Sequence, residues 1–167
     1  MIVEEITKNL KDAAAFASVP DAERRIDPAL LTRGELERPH QSIVTTCGRR
    51  IHVSLPEGQY LKDGDVLAEE DGVIVMVQAS EEDVLLVRPK SDRELALVCY
   101  NTGNMHAALY LDGEDLLIPY DPVIETILAK ITAAYERRRR PILGDSAKAS
   151  AGARHGHVHH HEDTYTR

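Results

Sequence analysis

The stretch Ser91-Asp92-Arg93-Glu94-Leu95-Ala96-Leu97-Val98-Cys99-Tyr100-Asn101-Thr102-Gly103-Asn104-Met105-His106 decides how the second half of this chain folds. Ser91-x-x-Glu94 is a capping box, in which the Ser hydroxyl takes one orphan N–H and the Glu reaches back to another. Leu95, Val98 and Thr102 recur at helical spacing, with Cys99 beside Leu95 on that face. Gly103 is expected to supply the left-handed residue that ends the helix. Ahead of it, Val84 to Arg88 is a compact apolar strand ended by Pro89. Behind it, His106 to Leu111 is strand-like, Asp112-Gly113 turns the chain, and Asp115 to Ile118 returns.

Asp121-Pro122 reads as an N-cap followed by proline at the first helical position. Val123, Ile124, Ile127, Leu128, Ile131 and Ala134/Tyr135 make a wide apolar stripe, predicting a helix over Asp121–Glu136 that buries Ile124, Ile127, Leu128 and Ile131. Arg137 to Arg140 would then sit at its C-terminus, where cations suit the macrodipole. Pro141-Ile142-Leu143 supplies a last strand. The order β-α-β-β-α-β is the ferredoxin-like arrangement of two split β-α-β units.

The half before it reads as β structure. Ile2 to Ile6 is a short first strand, Asn9 to Asp27 a loop or short helix, and Leu30 to Glu37 a possible strand. Ser42 to Cys47 is rich in β-branched residues, and Gly48-Arg49 can turn the chain. Arg50 to Leu55 alternates, with Ile51, Val53 and Leu55 on one face and His52 and Ser54 on the other, so His52 reads as a surface residue rather than a ligand. Asp63-Gly64 and Asp71-Gly72 mark turns around Leu61–Ala68 and Val73–Ala79. Short strands with glycine turns predict a small all-β sandwich or barrel over residues 1–80. The acidic link Ser80-Glu81-Glu82-Asp83 marks the boundary to the ferredoxin-like domain, residues 81–144. The Ala/Ser/Gly-rich stretch Gly144–Ala153 then leads a flexible tail, residues 145–167.

That tail carries the chemistry. His155-Gly156-His157-Val158-His159-His160-His161 holds five of the eight histidines. Neutral imidazole is the commonest ligand for borderline metals, and a cluster of them can wrap one ion. A solvated tail or a purification tag is the bland alternative, although a tag is normally a pure histidine run. Within the body, His106 lies just beyond Gly103, where helix gives way to strand. It reads either as a structural histidine or as a ligand. One imidazole cannot hold a metal alone, but a two-fold dimer would bring two copies together.

The totals remove other classes. A net charge of −8 opposes a general nucleic-acid footprint. No apolar run approaches the ~20 residues that span a bilayer. The N-terminus shows no basic region followed by an apolar one, so no signal peptide is read and a cytoplasmic location is expected. Cys47 and Cys99 match no disulfide scaffold and no zinc spacing. P-loop, nucleophile-elbow and H-E-x-x-H patterns are missing, so the chain is not expected to be an enzyme.

Tyr100-Asn101-Thr102-Gly103-Asn104-Met105-His106 resembles the Y-x-x-G-N-x-H segment of the urease accessory protein UreE family. The D-x-V-x-x-x-x-L helix (Asp121, Val123, Leu128), the upstream Leu61-x-Asp63-Gly64-Asp65-Val66-Leu67 and Glu70-Asp71-Gly72, and the His-rich end are similar to that family in the same order, over about residues 28–136 plus the tail. The resemblance implies a nickel metallochaperone that forms homodimers through ferredoxin-like domains. It implies nickel at the His106 position across the dimer interface, helped by His155, His157, His159, His160 and His161. It also implies delivery to the urease apoprotein with an accessory GTPase, which would supply the missing P-loop. Three departures stand out. Many members carry Arg or Gln at the Met105 position. Some carry H-x-H where this chain has Tyr120-Asp121-Pro122. Arg137–Gly144 replaces a P-F-x-P-E-x-G-A-Y-like segment.

Ligand type alone does not choose nickel: Zn(II) or Cu(II) suit the same imidazoles, and Cu(II) binds tightest by the Irving–Williams order. Two other readings stay open from the residues: a nickel or zinc buffer or storage protein without a delivery partner, and a folding helper of the prolyl isomerase type with a His-rich tail.

Overall fold

A computed structural model describes residues 1–11, 25–131 and 134–147 of the chain. The N-terminal half contains two three-stranded sheets, β1–β4–β3 and β2–β6–β5. Their strands are β1 (Ile2–Val3), β2 (Arg25–Leu31), β3 (His40–Val44), β4 (Arg50–Ser54), β5 (Val66–Glu70) and β6 (Val73–Ala79). Both sheets send apolar side chains into one core. Ile43, Ile51 and Val53 come from the first sheet; Ala29, Leu31, Leu67, Val75 and Val77 come from the second. This is the expected all-β unit in sandwich form. The alternation over β4 holds as read, with Ile51, Val53 and Leu55 buried and His52 and Ser54 exposed.

Two local expectations here are corrected. Leu30–Glu37 is not a strand: β2 stops at Leu31, and a single helical turn, α1 (Arg33–Leu36), follows. Thr32 caps it. The Thr32 backbone N–H and hydroxyl both donate to Glu35 Oε2, at 2.8 and 2.7 Å, and the Glu35 N–H points back at the Thr32 hydroxyl. Those bonds hold the Glu35 carboxyl below the usual carboxylate range. The capping box T-x-x-E overrode the apolar pattern. The third strand lies at His40–Val44 rather than Ser42–Cys47 because Thr45, Thr46 and Cys47 are gathered around the buried Asp27 carboxylate. The Thr45 hydroxyl donates to Oδ2 at 2.7 Å, and the Cys47 N–H donates to Oδ1 at 3.0 Å. Arg49 Nε sits 3.4 Å from Oδ2.

The second half is α+β. Its strands are β7 (Glu82–Arg88), β8 (Tyr110–Asp112), β9 (Asp115–Pro119), β10 (Ala134–Arg140) and β11 (Asp145–Ser146), with helices α2 (Asp92–Asn104) and α3 (Pro122–Ile131). The sheet order is β10–β7–β9–β8–β11, and every adjacent pair is antiparallel. Without β11, this is the order fourth–first–third–second of a ferredoxin-like β-α-β-β-α-β unit. Four consecutive residues of β7, Val84 to Val87, are buried because both faces of the sheet are covered. Leu85 and Val87 pack with Val98 of α2 and Ile124 and Leu128 of α3, whereas Val84 and Leu86 pack with Tyr110, Leu117 and Ile142.

The last helix is shorter than its stripe predicts. It ends at Ile131, and Ala134–Arg140 pairs along the whole of β7, from Ala134↔Arg88 to Arg140↔Glu82. The arginines therefore do not cap a helix. Arg137 reaches Asp83 at 3.3 Å, Arg138 reaches Glu136 at 2.9 Å, and Arg140 pairs with Asp112. A run of charge on an edge strand also discourages further strand addition. Pro141-Ile142-Leu143 is not a strand; Ile142 is a buried plug against the outer sheet face. Of the four residues expected inside from α3, Ile124 and Leu128 are buried while Ile127 and Ile131 are half-buried.

The two halves touch through α1 and the sheet. The Arg33 N–H donates to Glu82 Oε1 at 2.7 Å, and the Arg33 guanidinium lies 4.9 Å from the centre of the Tyr110 ring. Of the acidic link, Glu82 and Asp83 are already part of β7.

Candidate metal centre

The helix that carries the candidate ligand starts at Ser91, whose hydroxyl accepts from the Glu94 N–H at 3.2 Å. The reciprocal bond of the expected capping box is displaced by one residue, since Glu94 Oε2 accepts from the Lys90 N–H at 2.6 Å. The C-terminal end differs more. Gly103 is still helical, and Met105 is the C-cap, with φ −83° and ψ 3°. The left-handed residue is His106 itself, at φ 54°. The His106 N–H donates to Gly103 O at 3.0 Å and the Ala107 N–H to Thr102 O at 3.1 Å. This pair of bonds is the Schellman arrangement, with histidine in the C′ position that glycine usually fills. A β-carbon in that conformation costs about 1–2 kcal/mol. The helix therefore runs to Asn104, and the following strand begins only at Tyr110, not at His106.

The consequence is a histidine held off the helix end on a rigid backbone. His106 is exposed, and its imidazole makes no hydrogen bond or ion pair with any described residue. Beside it lie the exposed Met105 and, one helical turn and more back, Tyr100 with 71% of its surface open. Cys99 is also exposed and is not in a disulfide. Among the described residues, no three His, Cys, Asp or Glu side chains converge closely enough to hold an ion. One copy of the described fold thus offers a single imidazole here.

His155, His157, His159, His160 and His161 lie outside the described residues. The described residues nearest to them in sequence are Asp145–Ala147. Gly144–Ala153 was expected to be a linker from its first residue, but Asp145 and Ser146 pair with Leu111 and Tyr110 as β11. The Ala147 N–H continues the ladder onto Leu109 O at 2.8 Å. Over Asp145–Ala147 each step therefore moves one residue back along the chain towards His106. From Ala147 to His155 is a chain of eight residues, which spans at most about 26–29 Å. Gly144 makes the approach possible, since a β-carbon there would fall on the Leu111 carbonyl.

Comparison with known proteins finds family models over both halves of the chain. A family model described as the UreE urease accessory protein N-terminal domain matches residues 3–80, and one for the C-terminal domain of the same family matches residues 82–166. Curated relatives named urease accessory protein UreE include one from Burkholderia thailandensis, 37% identical over 110 residues that cover 66% of this chain and 52% of that protein. One from Burkholderia pseudomallei is 37% identical over 110 residues, covering 66% and 54%. One from Burkholderia mallei is 36% identical over 110 residues, covering 66% and 60%. The chain spans little more than half the length of the curated relatives it matches.

Proposed function

This chain belongs to the UreE urease accessory protein family, a family of accessory proteins rather than enzymes, and from that premise we propose that it is a nickel-binding metallochaperone that delivers Ni(II) to apo-urease during active-site assembly. The observation that carries the reading is the path of Asp145–Ala147. It is zipped onto β8 up to the Leu109 carbonyl, three residues beyond the exposed His106. A chain of eight residues from Ala147 to His155 spans at most about 26–29 Å, which supports joint use of the five tail imidazoles and His106.

Two copies of the chain would supply two His106 rings. The exposed Tyr100 and Met105 next to His106 support a homodimer closed over that point. Tail imidazoles would complete the coordination shell. Bound imidazoles must be neutral, so protons compete with the ion for the same nitrogens. A shell built partly from tethered ligands exchanges readily, which suits cargo. The urease apoprotein and an accessory GTPase are the proposed receiving partners. A cytoplasmic location is proposed with them; no helix among the described residues is long and apolar enough to cross a membrane. The same ligands would accept Zn(II) or Cu(II).

The test compares the native chain with His106→Ala and with a chain carrying alanine at all five tail histidines. Nickel stoichiometry is read by titration calorimetry, assembly by light scattering, and delivery by urease activity in cells. The expected result is that His106→Ala keeps most nickel capacity but loses the site shared between subunits and activates urease poorly. The tail variant should lose capacity but keep one shared site per dimer. Unimpaired activation by His106→Ala would remove His106 from the transfer route. A pull-down of urease apoprotein and the GTPase, with and without nickel, separates a carrier from a metal buffer.

A further inference from the structure

Two histidines play no part in the site just described: His40 on β3 and His52 on β4. Both are exposed, and they lie on the same outer face of the first sheet. The register is His40↔Ser54 and Ser42↔His52. The flanking backbone bonds are Leu55 N–H to Pro39 O and Thr45 N–H to Arg49 O, each 2.9 Å. By alternation, both histidine–serine pairs are therefore of the non-hydrogen-bonded kind, in which facing side chains come closest. The two imidazoles are diagonal neighbours across the ladder, where Cβ atoms are about 7–8 Å apart or somewhat less.

Each ring is tied across the hairpin through the same atom. The Ser42 hydroxyl is 2.7 Å from His52 Nδ1, and the Ser54 hydroxyl is 3.3 Å from His40 Nδ1. Both Nε2 atoms have no partner among the described residues. A hydroxyl that accepts from Nδ1–H leaves a bare lone pair on Nε2, which is the orienting arrangement that ligating histidines use. Metal–nitrogen bonds of about 2.0–2.1 Å need the two nitrogens about 3 Å apart, which two rings on such a diagonal can reach. We propose that His40 and His52 form a second metal site, a two-imidazole clamp for a borderline divalent cation, separate from the His106 region.

The strand residues sharing that face are Ile2, Ser42, Val44, Arg50 and Ser54, with no carboxylate among them. Within these strands the ion would be held by imidazole and water alone. Such a set suits Cu(II), Ni(II) and Zn(II), with Cu(II) the tightest. Two protein ligands give modest affinity and fast exchange.

The test uses the full chain with His106, His155, His157, His159, His160 and His161 replaced by alanine, which leaves His40 and His52 as its only histidines. Cu(II) titration followed by amide NMR is expected to show one ion per protomer, with broadening centred on His40, Ser42, His52 and Ser54. Adding His40→Ala or His52→Ala should each weaken binding by about a hundredfold, because the second ligand is then no longer tethered. Ser42→Ala, which keeps both rings, should weaken it by about tenfold. In the otherwise native chain, His40→Ala should lower total Cu(II) capacity by one ion per protomer. Two independent weak sites, in which each single substitution removes half the binding and leaves the rest unchanged, would overturn the proposal. So would broadening that misses this face, or a native capacity that His40→Ala leaves intact.

Discussion

Replacing His106 by glycine should make the protein more stable and, if the proposed function holds, weaken its nickel binding at once. His106 holds φ 54° at the C′ position of α2. The steric cost of a β-carbon there is about 1–2 kcal/mol. Glycine removes it but adds about 0.4–1 kcal/mol of unfolded-chain entropy. The balance favours His106→Gly by about 0.5–1 kcal/mol, since the imidazole makes no hydrogen bond or ion pair with a described residue that would be lost. For a chain of 167 residues that is a rise in Tm of about 1–4 °C. His106→Ala keeps the β-carbon in the left-handed region and should change stability by less than about 0.5 kcal/mol. Both variants should lose the proposed shared nickel site equally. The assays are metal-free urea and thermal unfolding, run beside nickel titration. A His106→Gly protein that unfolds more easily than the native chain would refute the reasoning. It would mean that the ring makes stabilising contacts and that histidine is there for the fold.

Gly144→Ala should push the chain off the Leu111 carbonyl, unzip β11 and weaken the shared nickel site while leaving every ligand in place; amide exchange at Ala147 reports the unzipping. Leu128→Ala, in the core under α3, should cost about 2–5 kcal/mol in denaturant unfolding, whereas the exposed Val123→Ala should cost less than about 0.5 kcal/mol. Burial pushes the Asp27 carboxyl up, but hydrogen bonds from Thr45, Cys47 and Thr46 outweigh it and hold the group below its ordinary value. Its contribution is therefore present above the unfolded pKa of about 3.9 and is lost as pH falls through the lower folded value. Asp27→Asn should cost about 1.5–3 kcal/mol near neutrality and flatten the loss of stability below about pH 4, as measured by urea midpoints across pH. Nickel capacity should fall steeply between about pH 7 and pH 5, because protons compete with the ion for the imidazole nitrogens; capacity unchanged at pH 5 would mean that the ligands are not histidines.

Local chemistry was legible in the sequence wherever one short-range signal acted alone. The alternation of Ile51, Val53 and Leu55 placed β4 and its buried face, because a period of two leaves no other solution with one side in water. Asp121-Pro122 started α3 as read: Asp121 Oδ1 accepts from the Val123 and Ile124 N–H groups at 2.7 and 3.1 Å. The order of strands and helices sufficed for the ferredoxin-like half, since few topologies are compatible with it. The Y-x-x-G-N-x-H segment singled out His106. Tertiary structure decided the places where two signals competed. Gly103 and His106 could each have taken the left-handed residue, and the Schellman bonds to Thr102 and Gly103 chose His106. Ala134 and Tyr135 continued a helical stripe on paper, with Arg137–Arg140 at its C-terminus, but β7 had an open edge whose unpaired backbone groups gain a full ladder from Ala134–Arg140. Asp145–Ser146 carried no apolar pattern, so only the free edge of β8 could make it a strand. The pairing of His40 with Ser54 and of His52 with Ser42 likewise depends on hairpin register. Register is a relation between segments, which no window along a single segment contains.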